Sequence, residues 1–171
     1  MNIMKGINNI DSYHPNSKLW IYTVKEILTD EMSNEIAKRL EAFCQNWTAH
    51  NKELRAFWNM YDNRIILLGV DEHLNPASGC SIDKSVHLLQ DIEKEMNINF
   101  FDRMLFSYTD GSKIHTLSRD EFQQAIDEQK INLETMVVNT LAKNLEEWAI
   151  IGIQRLEDSW MKNLFNVKLN A

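Results

Sequence analysis

Most of the residues that could do chemistry fall between positions 64 and 85, which read RIILLGVDEHLNPASGCSIDKS. Cys80 stands beside Gly79 at the expected entry to a helix. There, N–H groups and the helix dipole stabilise a thiolate. A thiolate nucleophile also needs a base, and His50, His73 and His115 are the candidates, His50 first. Asp83 in the first helical turn works against an anion at that spot, and a loop cysteine chosen for its size is the plainer reading. No C-x-x-C pair supports thioredoxin-like chemistry.

The same stretch offers an anion pocket without any reaction. Gly79 permits close backbone approach, Ser78, Ser81 and Ser85 bring hydroxyls, and Lys84 brings charge. Asp71 and Glu72 end the preceding apolar run and would form the acidic rim. They also give IILLGVDE the outline of a Walker B strand, in which Asp holds Mg²⁺ and Glu polarises water. A phosphate loop should then precede it. Gly79 to Ser85 comes after it instead, with Asp83 where a glycine belongs before the lysine. No transporter signature is present, so an ATPase is disfavoured. Asp71, Glu72 and His73 are consecutive and cannot all face one ion from a regular strand, so no metal site and no cofactor is expected.

Hydrophobic periodicity supplies the elements that must hold these residues. Positions 19–28 read as a strand. Thr29-Asp30 caps a helix whose apolar stripe is Met32, Ile36, Leu40, Phe43 and Trp47, with Cys44 beside it as a small core residue. Residues 54–61 and 64–70 flank Asp62-Asn63, two residues that tolerate positive φ, and so predict a hairpin. Its second strand is nearly all apolar and should be central, covered on both faces. Ser81 is expected to cap a second helix with Ile82, Val86, Leu89 and Met96 inward. Residues 100–109 and 112–117 form a second hairpin about Asp110-Gly111. Ser118 to Glu121 is a capping box, with Leu117 and Phe122 as its staple. Strands are predicted at 134–141 and 148–153, and a closing helix at 156–164.

This order of elements implies an α+β fold class: a two-layer sandwich with a β-α-β-β-α-β, ferredoxin-like core and a C-terminal β-α-β-α extension. Residues 1–17 read as a loose tail, 18–117 as the core, and 118–171 as the extension packed on the same domain.

Composition narrows the function. The 171 residues carry a net charge of −7, and Lys and Arg are scattered among Asp and Glu. Nucleic acid is therefore not an expected partner. No apolar run is long enough to span a bilayer. With two cysteines and no signal-like segment, a cytoplasmic location is expected.

The motifs WIY (20–22), WTAH (47–50), VDE (70–72), ASGCSIDKSV (77–86), FDR (101–103) and SW (159–160) together resemble a family of small, uncharacterised Bacteroidetes proteins commonly labelled "ABC transporter ATPase". The resemblance spans about residues 19–165 and implies a soluble bacterial protein, with no activity or catalytic residue to carry over. Residues 115–138 are similar to the β-α-β unit of GYF-type adaptor modules, which implies an interaction role. The expectation is a non-catalytic binding protein that takes a partner protein or small anionic ligand at loop 71–85. The alternative is a thiol enzyme with Cys80 as nucleophile and His50 as base.

Overall fold

The computed structural model describes residues 4–6 and 10–167. It contains ten strands, β1 (Met4–Gly6), β2 (Lys18–Thr23), β3 (Thr48–Ala49), β4 (Lys52–Glu53), β5 (Arg55–Tyr61), β6 (Ile65–Asp71), β7 (Leu105–Thr109), β8 (Ile114–Ser118), β9 (Met136–Val138) and β10 (Ile153–Arg155). Four helices join them: α1 (Asp30–Asn46), α2 (Gly79–Met96), α3 (Arg119–Asp127) and α4 (Leu145–Ile151). The class is α+β. The strands form two four-stranded antiparallel sheets, β1-β5-β6-β2 and β10-β9-β7-β8, and the small β3-β4 hairpin.

β6 is central in the first sheet and all seven of its residues are buried, as its unbroken apolar run requires. The turn before it holds Asp62 and Asn63 at φ 48° and 51°. That mirror-image turn, closed by the Arg64 N–H on the Tyr61 carbonyl, matches the twist of the flanking strands, and Arg64 then stands as one extra residue, so the register runs from Tyr61↔Ile65 to Arg55↔Asp71. Gly69 stands in β6 because the ring of Phe57 crosses it: a Cβ there would lie 2.1 Å from Phe57 Cζ.

α1 begins where Thr29 accepts a hydrogen bond from the Met32 N–H, 3.2 Å away. Its buried face, Ser33, Ile36, Leu40 and Cys44, recurs every three to four residues. α1 and α2 cover one face of the first sheet, in a core that includes Trp47, Trp58, Met60, Ile66 and Leu68. Each fully buried aliphatic side chain there contributes about 1.5–3 kcal/mol.

The other face is not bare. Leu19, Phe57, Ile65 and Leu67 pack against Ile114 of β8, Val138 of β9 and Leu145 of α4. The second sheet therefore lies over the first, and its far side carries a separate core of Phe106, Phe122, Ile126, Val137 and Leu156. The arrangement is layered more deeply than a two-layer sandwich. Among the described residues, the segments expected to extend the sheet meet it edge to edge only at the Lys18–Asn144 bridge.

The β2-α1-β5-β6 part has the expected split order, with β6 between β2 and β5. The ferredoxin-like closure is absent. The strand after α2 should return beside β2, but Asn97 ends α2 in a left-handed conformation at φ 52°. Residues 97–104 then carry the chain out to β7 of the second sheet.

Smaller differences arise from local chemistry. α2 starts at Gly79, capped by Ser78 rather than Ser81. The β7-β8 turn centres on Gly111 and Ser112, because the Asp110 N–H bonds to the Lys113 carbonyl. Residues 145–151 are helical, since Asn144 caps them through the Glu147 N–H at 2.8 Å. The expected closing helix is two 3-10 turns, Leu156–Asp158 and Trp160–Leu164, divided at Ser159. The capping box of α3 is present, and Leu117 and Phe122 both join the second core. Of the expected N-terminal tail, residues 1–3 and 7–9 lie outside the described residues. Met4–Gly6 pairs with β5, and Tyr13 packs on Phe57 at 4.5 Å between ring centroids.

Candidate functional site

Loop 71–85 is held together by the side chains that sequence reasoning offered to a ligand. Asp71 is 1% exposed. Its carboxylate accepts from Arg55 Nη1 at 3.0 Å, from the His73 N–H at 3.1 Å and from the His14 N–H at 3.4 Å. Arg55 lies directly across the hairpin, donates also to the Ser12 carbonyl and rests on the Tyr13 ring. Glu72 accepts from the Ala77 N–H at 3.0 Å and closes the loop on itself.

Ser78 and Ser81 form a reciprocal capping box. The Ser81 N–H donates to Ser78 Oγ at 3.2 Å, and the Ser78 N–H donates to Ser81 Oγ at 2.8 Å. Ser81 is buried, and its carbonyl accepts from Trp47 Nε1 at 2.8 Å. Ser85 is buried too and bonds back to the Ile82 carbonyl at 2.7 Å. Gly79, Cys80 and Lys84 are exposed, and open space surrounds the position of a Gly79 Cβ.

The proposed bases are each committed elsewhere. His50 sits at φ 50° in the exposed turn between β3 and β4. The His73 ring stacks on that of His14 at 5.1 Å. His115 Nε2 meets Asp110 in the second sheet at 2.8 Å. Among the described residues no hydrogen bond joins any of the three to Cys80. The other thiol, Cys44, is buried, and burial pushes it up to about 12. Among the described residues no group of three or more His, Cys, Asp or Glu side chains could hold a metal, and no helix is long and apolar enough to cross a membrane.

A wide concavity lies elsewhere, a groove of about 630 Å³ along the outer edge of β2. Its floor is Leu19 to Thr23. One wall is Ile82 and Val86 of α2 with Phe100 to Arg103, and the other is Thr140 to Lys143 with Trp160. It occupies the place where one more strand of the first sheet would lie. The 140–145 segment starts to fill that place: the Leu19 N–H donates to the Lys143 carbonyl at 2.9 Å, and the Leu145 N–H to the Ser17 carbonyl at 3.1 Å. A turn at Thr140-Leu141 then takes the chain away.

By strand alternation the backbone groups of Ile21 and Thr23 point into the groove. They have no backbone partner there among the described residues. Phe101 and Leu141 stand exposed at the rims, 36% and 58%. Lys18, Lys143 and Arg103 also line it, with Asp102 the one acidic residue. Residues this far apart in sequence carry no joint motif. Ile82 and Val86, expected on the inward stripe of α2, line the groove and are half-buried, because Ser81 and Ser85 take the buried positions.

In comparisons with protein-family models, curated proteins and solved structures, nothing matches this chain.

Proposed function

We propose that this protein is a non-catalytic binding protein and that its ligand lies in the groove beside β2. The observation that carries this reading is the unfilled strand position, an apolar groove of about 630 Å³ against a free sheet edge. That size is typical of ligand clefts, roughly 300–1,000 Å³. Loop 71–85 is a weaker candidate, because Asp71, Glu72, Ser78, Ser81 and Ser85 already bond within the chain. An interaction role also accords with the likeness of residues 115–138 to adaptor modules. Neither an ATPase nor a Cys80 enzyme gains support from an assembled set of groups.

The second reading keeps an anion or a thiol reaction at the start of α2. It is favoured by the exposure of Cys80 and Lys84 and the open space at Gly79. Amide chemical-shift mapping separates the two, using a mixture of short extended peptides in one titration and phosphate, sulfate and acetate in another. Shifts confined to residues 18–23, 100–103 and 140–143 are expected with the peptides. Shifts confined to residues 78–85 with the anions would sink the groove reading.

A further inference from the structure

The groove's chemistry specifies an occupant more narrowly than "a ligand". Resting on the reading that the groove binds, we infer that it takes an extended, largely apolar segment of a partner protein. That segment is added to the first sheet as an antiparallel strand beside β2, with an acidic residue or C-terminal carboxylate against Lys18 and Lys143.

Three observations converge on this. The floor is a strand edge whose Ile21 and Thr23 backbone groups lack partners among the described residues, and an extended chain is the ligand that satisfies alternating N–H and C=O groups. Both faces of the first sheet are buried, so a strand continuing it meets apolar surface on each side. Its side chains would alternate between Ile82, Val86 and Phe100 on the helical side and Leu141 and Trp160 on the other. This favours apolar residues at successive positions rather than a strictly alternating pattern.

Charge decides the ends. Three cations and one anion line the groove of a chain whose net charge is −7. Lys18 rests over the Trp20 ring at 5.4 Å, and neither it nor Lys143 has an ion-pair partner among the described residues. Both lie where β2 begins, beside the bridge to Asn144. Every pairing in this sheet is antiparallel, and residues 143–145 already run antiparallel to β2. An incoming strand in line with them places its C-terminal end at the two lysines. Beyond the position that Lys143 fills beside Leu19, the edge from Trp20 to Thr23 accommodates about four residues at ~3.3 Å each, and the charged end of the segment lies past them.

The test uses the full chain and a fluorescein-labelled peptide of four Val, Ile and Thr residues ending in two Asp. Three controls share its length: Asp replaced by Lys, the Asp pair moved to the N-terminus, and alternate amides N-methylated. Fluorescence anisotropy should show saturable binding of the first peptide. Binding should be weaker by roughly three- to tenfold with either charge control, as expected for rim ion pairs. N-methylation in the register that faces β2 should abolish it. Lys18→Glu with Lys143→Glu should invert the preference between the Asp and Lys peptides, a reversal that misfolding cannot produce.

Groove shifts with no charge preference, or equal binding of the N-methylated peptide, would overturn the strand-addition inference and leave the groove as a binding site. Absence of groove shifts with any peptide would remove the underlying reading as well. A concentration-dependent dimer in sedimentation, dissociated by the same Lys-to-Glu pair, would assign the edge to a second copy of this chain and overturn the inference.

Discussion

Replacing Asp71 by alanine removes a carboxylate that is almost wholly inside the protein and accepts three hydrogen bonds. The side chain of Arg55 is 45% exposed and that of Asp71 only 2%. This is therefore a half-buried pair, and the guanidinium left behind can turn to water. The 3–5 kcal/mol typical of breaking a fully buried pair is thus too large. A hydrogen bond to a charged group contributes about 1.5–3 kcal/mol net, and an exposed pair about 0–1 kcal/mol. The His14 N–H, at 3.4 Å, adds little, while the His73 N–H, at 3.1 Å, loses a well-placed acceptor. A loss of about 2–3 kcal/mol is expected for Asp71→Ala, and about half of that for Asp71→Asn, which keeps one acceptor oxygen. For a chain of this size that corresponds to a fall in Tm of roughly 4–12 °C. Equilibrium urea unfolding at neutral pH measures the free energy, and Arg55→Ala with the double variant gives the coupling. If Asp71→Ala unfolds within about 0.5 kcal/mol of the parent, the clamp is not structural and a ligand role for Asp71 returns.

Gly69→Ala should destabilise by about 1–3 kcal/mol, because the new methyl lands on the buried Phe57 ring; Phe57→Leu in the same chain should recover part of it, and an unchanged urea midpoint would refute the contact. In the native protein iodoacetamide should label one thiol per chain, Cys80, with Cys44 labelled only on unfolding, as peptide mass spectrometry can determine. If Cys80 reacts no faster than free cysteine at neutral pH, the thiol-enzyme alternative loses its basis. Lys25, 2.9 Å from Glu121, is the main reason that carboxyl is held down at about 2 against an ordinary 4.5. A depressed folded pKa stabilises above the unfolded value, and that stability is lost as pH falls from about 4.5 toward 2. Lys25→Met should therefore flatten the acid limb of a stability-versus-pH curve in that window, and, because Glu121 raises the Lys25 pKa in turn, it should also flatten the fall in stability above about 10.5.

What could be read from the sequence was local. The run IILLGV identified a strand buried on both faces, Asp62-Asn63 the turn before it, and Ser118 to Glu121 a helix start. In each case the deciding interactions lie within a few residues of one another. Asp71 shows the limit. Its position at a strand end suggested a ligand, and a two-residue turn at Asp62-Asn63 would put Leu54 opposite it; the extra residue Arg64 shifts the register by one and brings Arg55 across, so the ion pair was not deducible from the turn. Residues 145–151 misled because Ile150 and Ile151 resemble a strand, while the Asn144 cap and the Leu145-Trp148 spacing decide for helix.

The destination of the chain after α2 was not legible, for a physical reason. Phe106 and Tyr108 alternate with Leu105 and Ser107 as in any half-buried strand, and that alternation fits either sheet. The choice is made by partners far away: Phe106 packs with Phe122 and Phe165, and Ser107 bonds to Thr116 across the β7-β8 pair at 2.8 Å. A strand beside β2 could not place Phe106 in that aromatic cluster. Diverting β7 therefore completes the second core and leaves the first sheet one strand short on the β2 side. The groove is thus a consequence of how two cores divide one chain. A sheet edge left open between apolar walls is a hazard unless something covers it, which is the physical reason to expect an occupant there.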